Sequence, residues 1–306
     1  MDQSTRAPVY VIGSLNTDLV VKTGQLPAPG QTVLGGDFFM SPGGKGGNQA
    51  VAAARLGASV SMVARLGTDI FADAAMASLE RDGLTCTHVS RDPDRPSGVA
   101  LISVDAAGEN QIVVAPGANA ALSPADVEHA CGELPAGALV LLQLEIPMEA
   151  VQRTVAIAAE RHCRVILDPA PAPEGPLPRD LLGGVYLLTP NETEAQRLTG
   201  LKVTDQDSAR TAAGALIDAG AAHVALTLGP AGVCLAHQNQ TTFVPAPQVT
   251  AVDSTAAGDC FNGAVAAGLA KGLDLIASVE FGCLAAAMSV TRLGAQDAMP
   301  SAADIA

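Results

Sequence analysis

The stretch ALVLLQLEI, residues 138–146, is apolar almost without interruption until Gln143 and Glu145. An amphipathic helix would break such a run with polar residues on one face. A strand buried on both faces would not. Three similar runs follow: RVILDPA (164–170), YLLTPN (186–191) and HVALTLG (223–229). Helical patterns near 147–161, 192–199 and 207–220 separate them. Continuous apolar strands joined by helical crossovers predict a parallel sheet covered by helices on both faces.

Upstream, PVYVIGSLNTDLVV (8–21) begins as a buried strand and GGNQAVAAARLGA (46–58) reads as a helix stopped by Gly57. SVSMVARLG (59–67) is a strand and FADAAMASLERDG (71–83) a helix. SGVALISVDAAGENQIVVA (97–115) is a hairpin around AAGEN, and GVCLAHQNQTTFVPAPQ (232–248) is another. Two helices follow, near 257–271 and 274–292. The Gly- and Pro-rich stretch 15–42 breaks the alternation. With 97–115 it is expected to form a small separate β-sheet, a discontinuous lid on a core of residues 1–14, 43–96 and 116–306.

Composition narrows the function. With 306 residues, 48% of them hydrophobic, a sizeable core is available. A net charge of −14, with Lys22, Lys45, Lys202 and Lys271 the whole lysine set, argues against nucleic-acid or anionic-membrane partners. Six scattered cysteines without C-x-x-C spacing, and no signal-peptide pattern at the N-terminus, point to reduced thiols and a cytoplasmic location. The five histidines show no metal-ligand spacing.

In an open parallel sheet, ligands bind beyond the carboxyl ends of the strands. Polar or glycine-rich turns crowd that edge. GSLNTD places Asn16 and Asp18 at a strand tip, suited to sugar hydroxyls or to turn capping. PGGKGGN (42–48) brings Lys45 and Asn48, with Gly43 and Gly44 as a hinge or a close approach to ligand. Glu145 ends an apolar strand. In NETE, Glu192 and Glu194 open a helix, as capping acids or, for Glu194, facing hydrated Mg²⁺. DSTAAGDCFNG (253–263) sets small residues, Ala256, Ala257 and Gly258, before Asp259 at a helix start. Their bare N–H groups suit a phosphate, and a carboxylate beside them suits a base that deprotonates the attacking hydroxyl. The chain lacks G-x-x-x-x-G-K-[ST] and G-x-G-x-x-G.

Together, GSLNTD, GGKGGNQAVAAARLGA, GANAALSP, QLEIP, TPNETEAQRLTG, TLGPAGV, AVDSTAAGDCFNGA and VTRLGAQ resemble the ribokinase (PfkB-type) family of sugar and nucleoside kinases, in order and end to end. The resemblance implies a three-layer α/β/α core with a mostly parallel sheet and a β-sheet lid, and a homodimer through the lids. It implies ATP-dependent phosphorylation of D-ribose at its 5-hydroxyl. Asp259 would then be the base, and residues 256–258 the anion hole. Asn16, Asp18, Gly43, Gly44, Lys45, Asn48 and Glu145 would hold the sugar. Asn191, Thr227, Gly229, Gly232, Gly258 and Cys283 would line the ATP site. Glu194 would position Mg²⁺ through water, and Asp253, Thr255, Ser289, Arg292 and Gly294 would hold a monovalent cation, usually K⁺. Cys283 departs from the His or Asn common beside adenine, and Ala298 from a hydroxyl residue that often completes the cation shell. The change from GAGD to AAGD is expected to matter little. Alternatives are a kinase of the same fold acting on deoxyribose, another sugar or a nucleoside, and a non-catalytic sugar sensor.

Overall fold

The computed structural model describes residues 7–132, 134–237 and 240–305. Its elements run β1 (Val9–Ile12), β2 (Asn16–Lys22), β3 (Phe38–Gly43), α1 (Lys45–Arg55), β4 (Val60–Leu66), α2 (Ile70–Arg81), β5 (Thr85–Arg91), β6 (Gly98–Val104), β7 (Asn110–Ala115) and α3 (Pro124–Cys131). There follow β8 (Leu139–Leu142), α4 (Met148–Glu160), β9 (Arg164–Leu167), α5 (Arg179–Gly183), β10 (Leu187–Leu188), α6 (Glu192–Thr199) and α7 (Gln206–Ala219). The chain ends with β11 (Val224–Thr227), β12 (Val233–His237), β13 (Gln240–Val244), α8 (Ala257–Ala270), α9 (Leu275–Ser289) and α10 (Ala302–Ile305).

The larger sheet has nine strands in the order β13-β12-β11-β10-β9-β8-β1-β4-β5. It is parallel from β11 to β5 and ends in the antiparallel pairs β11–β12 and β12–β13. The turn of the hairpin expected over 232–248 falls on residues 238 and 239, outside the described residues. The apolar runs are explained by burial on both faces. Val140, Leu142, Val165 and Leu167 pack with α3–α7, whereas Leu139, Leu141 and Ile166 pack with α1, α2, α8 and α9.

Two readings change. The run 8–21 is not one strand: it leaves the large sheet after Ile12 and enters a four-stranded sheet at Asn16. Asn16 and Asp18 therefore sit within β2 rather than on a turn, paired across to Gly43 and Ser41 of β3. The small sheet, in the order β3-β2-β6-β7, joins the 15–43 segment to the 97–115 hairpin through the parallel pair β2–β6. Four elements have no counterpart in the sequence pattern: β5, α3 and the short helices α5 and α10. Edge strand β5 is largely polar (TCTHVSR), and α3 is opened by a Ser123–Asp126 capping box. Among the described residues no helix is long and apolar enough to cross a membrane.

Helices α1 and α8 pack closely at Gly263, which has no side chain. A Cβ there would lie 2.5 Å from the Gln49 carbonyl and 2.6 Å from the Ala52 Cβ. That approach brings the start of α1 against the start of α8, and these two helix ends build the site.

Candidate active site

Strand β1 ends at Ile12, and Ser14 then touches the head of α1. Its carbonyl accepts from Gly47 N–H at 3.0 Å, and its hydroxyl donates to Glu145 Oε2 at 2.6 Å. The same Glu145 oxygen accepts from Lys45 N–H at 3.2 Å. Glu145 is thus partly buried and hydrogen-bonded where its strand ends. It is an acid at the positive end of α1. Asp18 presses against Gly43, where a Cβ would lie 2.4 Å from Asp18 Oδ1. Asn16 Oδ1 accepts from Asn119 Nδ2 at 2.8 Å. The residues expected to hold a sugar (Asn16, Asp18, Gly43, Gly44, Lys45, Asn48 and Glu145) accordingly meet around the α1 N-terminus.

Asp259, 5% exposed, lies in the first turn of α8. Asn48 Nδ2 donates to its Oδ2 at 2.9 Å, and Gln49 Nε2 to its Oδ1 at 3.1 Å. Asn48 therefore contacts the expected base. The Asn48 Oδ1 is buried and has no partner among the described residues. The first i→i−4 bond at the helix head runs from Cys260 N–H to the Ala256 carbonyl, 2.9 Å, so the Gly258 and Asp259 amides precede the ladder. Ala257 N–H turns back to the Ser254 carbonyl at 3.2 Å.

Ala256 adopts φ 57°, in the left-handed region. The AAGD variant is therefore not neutral. A Cβ in that region costs on the order of 1–2 kcal/mol, which the commoner glycine avoids.

One cation faces many carboxylates. Burial alone would lower the Lys45 pKa, but Asp259, Asp168, Glu145 and Glu194 overcome it and hold the ammonium charged. Burial raises Asp18 to about 6, with Glu145 and Asp259 adding to the shift. Burial also holds Asp168 well above the usual carboxylate range. Glu194 is raised by burial too, against the pull of the Asn191 N–H.

Two cavities adjoin along α8. A polar one of about 200 Å³ is lined by Lys45, Asp168, Asn191, Glu194, Gly258 and Asp259 among others. An apolar one of about 280 Å³ is lined by Gly229, Gly232, Val233, Phe261, Cys283 and Val290 among others. Thr227, Ser254, Ala257 and Gly258 belong to both. The residues expected to line a nucleotide site thus fall along one continuous trough.

Asn191 and Glu194 form a reciprocal capping box. Asn191 N–H donates to Glu194 Oε2 at 2.8 Å, and Glu194 N–H to Asn191 Oδ1 at 2.9 Å. The capping role of Glu194 is therefore present, while its carboxylate still lines the polar cavity.

Asp253 ties a loop together. It accepts from Thr255 N–H (2.9 Å), the Thr255 hydroxyl (2.6 Å) and Gly294 N–H (2.9 Å). Burial pushes the Asp253 pKa up, but these donors outweigh it and the carboxyl lies below its ordinary value. The Ser289 hydroxyl donates to the Ala286 carbonyl, and the Arg292 side chain turns away to Asp304.

Asp168, Gln49 and Gln143 carry no sequence signal of their own beyond lying at a strand end or a helix start.

The chain matches the pfkB family carbohydrate kinases over residues 6–302. It is 38% identical to a ribokinase of Haemophilus influenzae, covering 97% of this chain and 96% of the relative. It is 39% identical to a deoxyribokinase of Salmonella typhi, covering 96% and 95%. Its fold is similar to that of a Thermotoga maritima ribokinase (TM-score 0.86, 36% identity, 98% of each chain). An Arabidopsis thaliana ribokinase complexed with ribose and ATP superposes with TM-score 0.88 at 30% identity, covering 98% of this chain and 97% of that one. The chain belongs to the pfkB family of carbohydrate kinases, and its enzyme class is that of a sugar kinase.

Proposed function

We propose that the protein transfers the γ-phosphoryl group of ATP to the 5-hydroxyl of D-ribose. The observation that carries this reading is the placement of Asp259. It lines the polar cavity together with Lys45, at the head of α8, with one carboxylate oxygen held by the Asn48 side-chain amide and the other by that of Gln49.

In this reading Asp259 accepts the proton of the sugar hydroxyl as that oxygen attacks. The amides at the head of α8 and the charged Lys45 receive the negative charge that develops on the phosphoryl oxygens. Asn16, Asp18, Gly43, Gly44, Asn48 and Glu145 fix the sugar. The apolar trough beside Cys283 takes the base of the nucleotide.

The polar cavity offers hard oxygen donors but, among the described residues, no cluster of three metal-ligating side chains. That suits Mg²⁺ held through water by Glu194 and largely by the phosphates. Bound there, Mg²⁺ would neutralise charge on the phosphates. The oxygen-rich loop of Asp253, Thr255, Ser289, Arg292 and Gly294 suits a monovalent cation such as K⁺.

The small sheet (15–42 and 97–115) is read as a lid domain on the core. One of its faces carries the cross-strand row Met40, Leu19, Leu101 and Val113, in which Met40 is 57% and Val113 65% exposed. Such a face supports a homodimer formed through the lids. The six free thiols suit a cytoplasmic setting.

The similarity to a deoxyribokinase favours 2-deoxyribose as a second reading. A coupled assay with ribose, 2-deoxyribose, other pentoses and nucleosides, with and without K⁺, decides between them. The expected result is the highest kcat/KM for ribose. A higher value for 2-deoxyribose would establish the second reading.

A further inference from the structure

A chain of buried amides runs behind the proposed base. Gln143 Nε2 donates to Gln49 Oε1 at 2.7 Å, and Gln49 Nε2 donates to both Asp168 Oδ2 (2.9 Å) and Asp259 Oδ1 (3.1 Å). Gln143 is 0% exposed, Gln49 1%, and the two aspartates 5% each, so water has little room to replace any member.

The direction of the chain is dictated by chemistry. A carboxylate that is to act as a base must be free to accept, so the Gln49 NH₂ must face Asp259. The Gln49 carbonyl must then face Gln143, whose NH₂ must face back. The consequence is a cost: Gln143 Oε1 is buried without a partner among the described residues. It sits where a Cβ on residue 13 would lie 2.0 Å away, so Gly13 makes room for it. An orphaned acceptor in a tight site is retained where the other end of the same amide matters.

We propose that Gln49, oriented by Gln143, is a positioning residue for Asp259. Its two N–H groups fix the carboxylate's rotation and pin Asp168 alongside it. The proposal rests on the reading of Asp259 as the base. Asn48 grips the other oxygen, but Asn48 is also among the residues proposed to hold the sugar, whereas the Gln49 and Gln143 side chains bond only to one another and to the carboxylates. The charged groups around the pair are Lys45 on α1, Asp18 on β2, Glu145 after β8, Asp168 after β9 and Glu194 on α6. The neighbouring Cys260 thiol is pushed up to about 12, chiefly by burial, and stays neutral.

The test uses the full chain with ribose and MgATP and compares Gln49→Met, Gln143→Met and Asp259→Asn with the parent. Methionine fills the glutamine volume and donates nothing. Gln49→Met is expected to lower kcat about tenfold or more with the ribose KM nearly unchanged. It should also move the acid limb of the kcat–pH profile up by about one unit, because a lost donor weakens the ionised form. Gln143→Met, which reaches no ligand, should give the same signature at smaller amplitude, and it carries the reading where Gln49→Met does not fold. Parental kcat and acid limb in the glutamine variants, beside an inactive Asp259→Asn, overturn the positioning role and leave the base reading intact. A lower kcat with an unmoved acid limb overturns it as well, since a merely structural defect does that. Parental turnover in Asp259→Asn removes the base reading and the proposal together.

Discussion

Replacing Asp18 with asparagine should stabilise the fold while weakening its use. Burial, with Glu145 and Asp259 adding, lifts the Asp18 pKa from 3.8 to about 6. The folded protein therefore holds this proton more tightly than the unfolded chain does. Stability is lost as pH rises from about 4 to about 6, and the full penalty stands above that window. At about 1.36 kcal/mol per pKa unit, the ionised carboxylate costs the folded state roughly 3 kcal/mol at pH 8. Asparagine cannot ionise, so Asp18→Asn should recover most of it. The urea midpoint at pH 8 should rise by on the order of 1 M. The gain should fade towards pH 4.5, where the parent carboxyl is already protonated. The same change removes an acceptor from the proposed sugar site, and the ribose KM should rise about tenfold or more. Urea titrations of both proteins at pH 8 and pH 4.5 measure the stability difference directly. An equal gain at both pH values, or a loss at pH 8, refutes the reasoning.

Two backbone features give further predictions. Gly263→Ala puts a methyl 2.5 Å from the Gln49 carbonyl, so α1 and α8 must separate. It should cost about 1–3 kcal/mol in thermal unfolding and lower kcat together with stability, because Asn48 and Gln49 leave Asp259. Ala256→Gly relieves the φ of 57° at the helix head, partly offset by the greater freedom of glycine in the unfolded chain. The melting temperature should rise by about one to three degrees with kcat within twofold, and a fall would contradict a left-handed Ala256.

What was legible in the sequence follows from how local each signal is. The doubly buried strands β8, β9 and β11 announce themselves because both faces are apolar. Edge strand β5 does not, because TCTHVSR is mostly polar and only partly buried. The break after Ile12 is invisible because apolar residues continue on its far side, in a different sheet. Asp259, Lys45 and Glu145 stand out as charges in small-residue or apolar surroundings. Gln49 and Asp168 do not, since a glutamine after Asn48 and an aspartate before Pro169 are ordinary local choices. Their chemistry arises from the packing of α1 on α8, which brings residues 49 and 259 together, 210 positions apart.

In the proposed mechanism Asp259 takes the proton of the attacking hydroxyl. Single-turnover transfer from γ-labelled ATP to ribose, in the parent and in Asp259→Asn, measures it most directly, with ribose affinity followed by calorimetry. The account predicts a transfer rate lower by about 10²–10⁴ with ribose affinity within a few-fold of the parent. A transfer rate within a few-fold of the parent would contradict it.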